Sequence, residues 1–187
     1  MVNFLRADVL VINKLDSAAP EDVAVLEENV RRERPEATVV RADSALDVED
    51  PQLIRGKRIL AVEDGPTVTH GGMKLGAAVV ASQRGGAAEL VDPRPWLVGT
   101  LKKTFEEYPD IGPILPAMGY SDEQVNDLRE VIRRADCDAV VVGTPIDLAK
   151  LIEMDKPNTR VRYTIEERGT PTLADVVDRF LEQTTSS

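Results

Sequence analysis

The chain has 187 residues, of which 42% are hydrophobic and 30% charged, with a formal net charge of −10 and a pI of about 4.7. A surface this acidic repels phosphate backbones, which excludes non-specific nucleic-acid binding as a function. The single cysteine, Cys137, excludes an internal disulfide and a thiolate zinc site, and it favours a reducing, cytoplasmic compartment. No apolar run approaches the roughly 18 residues of a membrane helix, so we expect no membrane partner.

Short apolar runs alternate with amphipathic segments along the chain. The apolar runs predict buried strands, and apolar residues spaced at helical intervals predict helices. This alternation predicts right-handed crossovers and a three-layer α/β/α fold with a mostly parallel sheet. In chain order the expected elements are a strand at 7–12, a helix at 20–33, strands at 37–41 and 58–63, a helix at 73–84, a strand at 87–91, a helix at 121–135, a strand at 138–142, a helix at 145–152, a strand at 159–165 and a helix at 172–183.

We expect one α/β domain over 1–183, followed by a disordered tail at 184–187. The stretch 92–119 is exceptional because it holds five prolines and three glycines, which predicts a long functional loop. Its apolar residues, such as Ile114, predict that it packs against the core. Arg94 lies in this loop, where it either closes over an anionic substrate or, as more often for such residues, is simply solvated.

The first strand runs into Asn13-Lys14-Leu15-Asp16, the N-K-x-D pattern with which GTPases hold a guanine ring. An Asp carboxylate can accept hydrogen bonds from the guanine edge, an Asn amide can meet N7, and a Lys stem can lie along the ring. Ser44 and Ala45 follow the next strand in the same way that a Ser-Ala pair does in the last GTPase loop. The alternative is a purely structural role, in which the segment is a strand followed by a turn. No G-x-x-x-x-G-K-[ST] phosphate loop occurs anywhere in the sequence.

A glycine-rich loop follows the strand at 58–63, in the segment "VEDGPTVTHGGMKLGAAV". A strand, a glycine loop and a helix in succession are the physical recipe for an anion site, because free N–H groups and the positive helix end face the ligand. Within this loop His70, the only histidine, is a candidate proton shuttle, and Lys74 is its candidate catalytic partner. The candidate anion-binding residues here are Thr67, Thr69, Gly71 and Gly72.

Gly143-Thr144-Pro145 follows the strand at 138–142. Thr144 before a proline predicts a helix cap, with Pro145 at the first helical position. A second substrate contact through Thr144 is an equally good interpretation.

Four stretches taken together resemble the carboxyl-terminal half of cyclic 2,3-diphosphoglycerate synthetase and its bacterial relatives, which are described as predicted GTPases. The likeness spans roughly residues 4–183, and its most specific parts are "EDGPTVTHGGM" and "DPRPW…GPILPAMGY". The four stretches are "FLRADVLVINKLDSA", "VRADSALDVEDPQLIRGKRILAVEDGPTVTHGGMKLGA", "AAELVDPRPWLVGTLKKTFEEYPDIGPILPAMGYSDEQ" and "DCDAVVVGTPIDLAKLI".

The resemblance implies a P-loop NTPase-like core and a nucleotide-dependent phosphoryl-transfer reaction that closes an intramolecular phosphoanhydride. It implies ATP with Mg²⁺ as cofactor, whereas N-K-x-D is a guanine-reading pattern, so ATP and GTP both stay open, and the metal ligands are unknown. The substrate class would be an anionic small molecule like 2,3-diphosphoglycerate. The family's amino-terminal half, with its phosphate loop, has no counterpart in this sequence. We therefore expect that half or a P-loop partner to complete the site.

Two other interpretations belong to a different class. The chain is a non-catalytic regulatory or binding subunit that docks on a P-loop partner, or it is a small-anion-binding protein. An exposed apolar surface where partner strands belong predicts such a partner or a homo-oligomer.

Overall fold

The computed structural model describes residues 2–65 and 76–185 of the chain. Helices and strands alternate through these residues, as the sequence predicts. In chain order they are α1 (Val2–Arg6), β1 (Val9–Ile12), α2 (Pro20–Glu33), β2 (Thr38–Val48), β3 (Arg58–Asp64), α3 (Ala77–Arg84), β4 (Glu89–Leu90), α4 (Gly99–Glu107), β5 (Leu115–Ala117), α5 (Asp122–Arg134), β6 (Ala139–Gly143), α6 (Leu148–Ile152), β7 (Asn158–Glu167) and α7 (Leu173–Thr185), with short 3₁₀ turns at Pro51–Leu53 and Arg94–Trp96.

The seven strands follow the order β1-β2-β7-β6-β3-β4, and β5 also pairs with β3. Every pair whose register is defined runs parallel: β1 with β2, β3 with β4, β5 and β6, and β6 with β7. The exception is β2 with β7, where Arg168 N–H donates to the carbonyl of Arg41 and Glu49 N–H donates to that of Arg160. Residue numbers rise on one strand as they fall on the other, which defines an antiparallel pair. The predicted α/β fold with a mostly parallel sheet is confirmed.

The chain divides into two compact units. Unit 1 comprises Met1–Ala45 and Tyr163–Ser187, and unit 2 comprises Leu46–Arg162. Strands β2 and β7 each contribute one part to unit 1 and the other part to unit 2.

Unit 2 contains a sheet covered on both faces. Even-numbered residues of β3 and β6, such as Leu60 and Val140, pack with α5 and α6 in one buried cluster. Odd-numbered residues, such as Ala61 and Val141, pack with α3 in a second cluster. Side chains of a strand alternate between its faces, so this division places α3 on one side and α5 on the other. The apolar runs that predicted these strands are buried because helices cover both faces of the sheet.

The first residues of the helices can be compared with the helix caps that the sequence predicts. Ser121 and Gln124, three residues apart, have the spacing that predicts a capping box, and the structure confirms that they cap α5 reciprocally. The predicted cap at Thr144 is wrong, because α6 begins three residues later and is capped by Asp147, whose carboxylate accepts the Lys150 N–H. The Thr144 hydroxyl instead donates to the Ile146 carbonyl at 3.0 Å, which closes a tight turn before the helix.

The stretch 92–119 is more regular than predicted, since it contains α4 and β5. No side chain within α4 caps its start; instead Asp127 of α5 accepts hydrogen bonds from both the N–H and the hydroxyl of Thr100, each at 2.7 Å. Pro116 sits within β5, which is possible because β5 pairs with β3 alone. Ile114 is buried, so the prediction that the stretch packs against the core is confirmed.

Strand β2 and helix α7 both run beyond their predicted ends. Strand β2 continues to Val48, seven residues past the expected boundary, along its partner β7. Helix α7 extends to Thr185, into the segment expected as a tail, and the Thr184 hydroxyl donates back to the Phe180 carbonyl. Within residues 2–65 and 76–185, no helix is both long and apolar enough to cross a membrane.

Candidate functional site

The carboxyl ends of β3 and β6 form the candidate site of unit 2. The chain leaves β3 toward β4 and β5 on one side, whereas β6 and then β7 lie on the other side. Connections that depart in opposite directions define a topological switch point, where open α/β sheets bind their ligands. We call this place the β3–β6 crevice and define it by Glu63, Asp64, Tyr120, Gly143 and Thr144.

Glu63 is a buried carboxylic acid at the end of an apolar strand, only 2% exposed. Its side chain faces α3, where Oε1 accepts the Val79 N–H at 2.9 Å and the N–H groups of Ala77 and Ala78 also donate to the carboxylate. Burial raises the pKa of Glu63 to about 7, although these hydrogen bonds oppose the rise. A carboxyl with this pKa exchanges its proton near neutral pH.

Two glycines make room for the Glu63 carboxyl. A Cβ on Gly76, just before α3, would lie 2.2 Å from the carboxyl carbon of Glu63. A Cβ on Gly143 at the end of β6 would lie 2.7 Å from Oε2 of Glu63 and 2.8 Å from the backbone nitrogen of Ala78. The start of α3 therefore lies directly against the sheet edge, with the carboxyl between them.

The opposite face of the β3 end carries a second group of polar side chains. Burial raises the pKa of Tyr120, the negative charge of Asp64 adds to the rise, and Thr144 opposes it. The Tyr120 hydroxyl is buried and has no partner in good hydrogen-bonding geometry among the described residues. Thr144 is 3% exposed and directs its hydroxyl to the Ile146 carbonyl. A ligand oxygen or nitrogen would satisfy the tyrosine hydroxyl.

Arg160 of β7 fixes the loop that follows β6. Its guanidinium donates to the Pro145 carbonyl at 3.2 Å and lies 3.5 Å from the Asp147 carboxylate. The side chain is only 12% exposed, so this pair is screened less than a surface ion pair. Arg160 therefore holds the turn between Pro145 and Asp147 in place.

The end of β3 carries a proton-exchanging carboxyl on the face toward α3, and a carboxylate and a phenol with a buried hydroxyl on the opposite face. Such groups can orient a polar substrate and move a proton to or from it. Of this set, Thr144 alone is a candidate site residue predicted from the sequence. An acidic residue closing an apolar strand, together with a glycine closing its neighbour, is the signal in the sequence that marks Glu63 and Gly143.

The second candidate site is the end of β1 in unit 1. Asn13 accepts the Lys14 N–H through its Oδ1 at 2.8 Å, and Lys14 adopts a left-handed backbone conformation with φ of 63°. Asp16 accepts the Ser44 N–H at 3.1 Å through one carboxylate oxygen. The structure thus brings the N-K-x-D segment and the Ser-Ala pair together.

The polar side chains of the N-K-x-D segment reach the surface of unit 1. Asn13, Lys14 and Asp16 are exposed, and the second carboxylate oxygen of Asp16 has no described partner. Ser44 is buried, and the Ala45 carbonyl accepts a long hydrogen bond from Thr164 at 3.5 Å. The segment is compatible with contacts to a purine edge, although one oxygen of Asp16 already holds the loop.

The glycine-loop residues lie outside the described part of the chain. They are Thr67, Thr69, His70, Gly71, Gly72 and Lys74.

Arg94 is engaged within the fold. It pairs with Asp92 at 2.8 Å, donates to the carbonyls of Pro109 and Ile111, and lies 5.0 Å from the centre of the Phe105 ring. This network ties the start of the proline-rich stretch to the segment that follows α4, so most of the donors of Arg94 are already used.

The described residues contain no cluster of side chains that could bind a divalent cation. Within 2–65 and 76–185, no three His, Cys, Asp or Glu side chains are grouped so as to hold a metal ion.

The fold defines an α/β protein with a candidate ligand site at the carboxyl edge of its sheet. No protein-family model matches the chain. Over 178 residues the chain is 49% identical to a Thermococcus kodakarensis protein named arginine synthetase ArcE. The match covers 95% of this chain but only 40% of the archaeal protein, so the chain spans less than half the length of that relative.

Proposed function

We propose that the chain is part of an ATP-dependent, ligase-like enzyme and supplies ligand-binding and proton-exchanging groups to it. The observation that carries the proposal is the 49% identity to the archaeal arginine synthetase over 95% of the chain. A synthetase couples the formation of a bond to the cleavage of a nucleoside triphosphate. Catalysis of that kind depends mainly on positioning and electrostatic stabilisation, which is what rigid sheet edges provide.

The proposed division of roles follows the two sites. Asn13, Lys14 and Asp16, with Ser44 and Ala45, contact the purine of ATP or GTP. The β3–β6 crevice holds the substrate, and its carboxyl Glu63 exchanges the proton. Since Asp64 adds a negative charge there, the crevice suits a ligand with a cationic group, and the guanidinium of L-arginine has that chemistry.

The finer hypothesis is a reaction like that of cyclic 2,3-diphosphoglycerate synthetase. It is supported by the "EDGPTVTHGGM" stretch, in which His70 and Lys74 would act on a polyanion held by the neighbouring threonines and glycines, with Arg94 and Thr144 as outer contacts. This hypothesis requires an anionic ligand, whereas the arginine synthetase comparison favours a cationic one. The two predict opposite ligand preferences.

Titration calorimetry of the chain separates these hypotheses. The ligands are ADP and GDP, each with Mg²⁺, then L-arginine and 2,3-diphosphoglycerate. We expect a purine nucleotide to bind and Asp16→Ala to weaken it at least tenfold, whereas Asp22→Ala, an exposed aspartate of the same unit, leaves it unchanged. Nucleotide binding that survives Asp16→Ala would remove the base-reading role.

The second part of the titration tests whether a substrate binds in the β3–β6 crevice. We expect L-arginine to bind and Asp64→Asn to weaken it about tenfold without changing the nucleotide affinity. Tighter binding of 2,3-diphosphoglycerate than of L-arginine would favour the cyclic diphosphoglycerate reaction. Binding of neither would refute substrate recognition by this chain and leave the alternative below.

The alternative is a subunit that docks on a partner carrying the phosphate loop. Among the described residues of unit 1, nine large hydrophobic side chains are exposed, including Phe180 at 63% and Val25 at 61%. Exposed apolar residues in such numbers are typical of a surface that another protein covers. The remaining 60% of the archaeal relative's length is the natural counterpart of that partner.

Light scattering across a hundredfold concentration range tests whether the chain associates with itself or with another chain. Self-association that Phe180→Ser abolishes would identify a homo-oligomer. A monomer that binds the remaining part of the archaeal protein would support docking on a partner chain. A monomer that binds neither would refute the docking hypothesis.

A further inference from the structure

A cavity of about 460 Å³ lies at the opposite edge of the unit 2 sheet from the crevice. Its walls come from the 3₁₀ turn before β3 and from the carboxyl end of α3, and it is lined by Pro51, Gln52, Arg55, Arg84, Gly85 and Gly86. Strand β3 has seven residues and separates this cavity from Glu63 by a strand length of roughly 20 Å. The cavity is therefore distinct from the site described above.

The two arginines of this cavity are free. Neither the Arg55 nor the Arg84 side chain makes a hydrogen bond or an ion pair with any described residue. Arg58, only three residues after Arg55, shows the contrast, since it pairs with both Glu89 and Asp136. In a chain with a net charge of −10, two guanidinium groups facing one cavity without a carboxylate between them are unusual.

The cavity walls are held firmly together. Gly56 N–H donates to the Gly86 carbonyl at 2.8 Å, and Ala88 N–H donates to the Lys57 carbonyl at 2.9 Å. Buried Ile54 packs so closely on Gly85 that a Cβ there would lie 2.7 Å from Cγ2 of Ile54. Both arginines thus project from backbone segments that are fixed to each other, which reduces the entropy lost when an anion binds both.

We propose that Arg55 and Arg84 form a binding site for a phosphate-bearing small molecule. The planar guanidinium fork matches phosphate oxygens with paired hydrogen bonds, and two such groups neutralise a dianion. A volume of about 460 Å³ accommodates a ligand larger than inorganic phosphate, and the Gln52 amide adds a polar contact for the rest of it. The position of Arg84 in the last turn of α3 favours a cation there, but it does not account for Arg55.

Calorimetric titration with pyrophosphate at 0.15 M salt tests the site. We expect one equivalent to bind, with Arg55→Gln and Arg84→Gln each weakening the affinity at least tenfold. Arg6→Gln is the matched control, because Arg6 is another exposed arginine without a described ion pair, and it should leave the affinity unchanged. The Arg55→Lys variant should fall between the wild type and Arg55→Gln, because it keeps the charge and loses the fork.

Four results would overturn the proposal. They are the absence of binding, equal weakening by Arg6→Gln, affinity that survives both cavity substitutions, and binding of citrate as tight as that of pyrophosphate. Both arginines are exposed and unpaired, so the unfolding midpoints of their variants should match the wild type and show that the fold is intact. Because the site is remote from the crevice, Glu63→Gln should bind pyrophosphate as the wild type does, whatever becomes of the synthetase proposal.

Discussion

Unit 1 and unit 2 each present a parallel strand that ends in polar side chains, yet they differ in how much apolar surface they bury. Both buried clusters belong to unit 2. Among the described residues of unit 1, the buried apolar side chains are Ile12, Val30, Val40 and Ala42. Helix α7 has no buried residue at all, although its sequence is amphipathic. The same strand–helix pattern thus gives a stable core in one unit and an incompletely covered surface in the other.

The largest expected effect is the loss of a core side chain from unit 2. Leu60 is fully buried between β3 and α5, so Leu60→Ala should lower the free energy of unfolding by about 2–5 kcal/mol. Val25→Ala in α2 of unit 1 removes an exposed side chain and should change it by less than about 0.5 kcal/mol. Urea denaturation followed by circular dichroism measures both. A comparable loss in the two variants would show that unit 1 has a core of its own.

The next effect is the pH dependence that Glu63 gives to stability. Its pKa is about 7 in the folded chain and 4.5 in the unfolded one, so the folded chain binds the proton more tightly. The contribution to stability is therefore complete below pH 4.5 and is lost as the pH rises to about 7, with a total on the order of 3 kcal/mol. Urea denaturation at closely spaced pH values, wild type against Glu63→Gln, measures this difference.

Glu63→Gln cannot ionise, so its free energy of unfolding should lack the decrease between pH 4.5 and 7. Glu106→Gln, at an exposed position of the same unit, should keep it. Exposed carboxylates with lowered pKa values, such as Asp175, act in the opposite direction and lose their contribution as the pH falls below 4. If the wild type and Glu63→Gln show parallel pH profiles, the Glu63 carboxyl is solvated rather than buried.

The third effect comes from the space between Gly143 and Glu63. In Gly143→Ala the new Cβ meets both the Glu63 carboxyl and the backbone of α3, so we expect a loss of about 1–3 kcal/mol. Gly112→Ala is the control, because a Cβ there meets nothing within 4 Å. Chemical denaturation gives both values. A neutral Gly143→Ala would mean that α3 moves away from the sheet edge without cost.

The sequence predicts what depends on neighbouring residues. Buried runs predicted the strands of unit 2, and the Ser121–Gln124 spacing predicted the capping box of α5, because both signals are local. The prediction from the sequence failed at α4, because the start of this helix is held by a contact between Thr100 and Asp127, which lie 27 residues apart. Proline and glycine in the surrounding stretch pointed to a loop, and a contact with another helix overrode that tendency.

The residues of the candidate sites likewise divide into those that the sequence predicted and those that it did not. The contact of Asp16 with the Ser44 N–H joins two segments that the sequence analysis had paired by analogy with GTPase loops. The role of Glu63 was not predicted, because it depends on α3 and Gly143 closing around a carboxyl from another strand. Thr144 was taken for a helix cap because the dipeptide Thr-Pro fits one, but Asp147 three residues later supplies the cap.

The smallest effect compares one helix cap in each unit. Ser121→Ala removes the cap of α5, which is packed in the unit 2 core, and should lower the free energy of global unfolding by about 1 kcal/mol. Thr172→Ala removes the corresponding cap of α7, where Thr172 Oγ1 accepts the Asp175 N–H at 3.1 Å. Since α7 buries no residue, its cap should affect the local opening of that helix more than global unfolding.

Native-state hydrogen exchange resolves the two cap variants. In Ser121→Ala the most protected amides of unit 2 should exchange about fivefold faster, as a loss of about 1 kcal/mol requires. In Thr172→Ala the same amides should be unchanged, while those of α7 exchange faster. If Thr172→Ala instead accelerates the amides of β3 and β6, the two units unfold together, and the exposed apolar face of α7 contributes to a single cooperative fold.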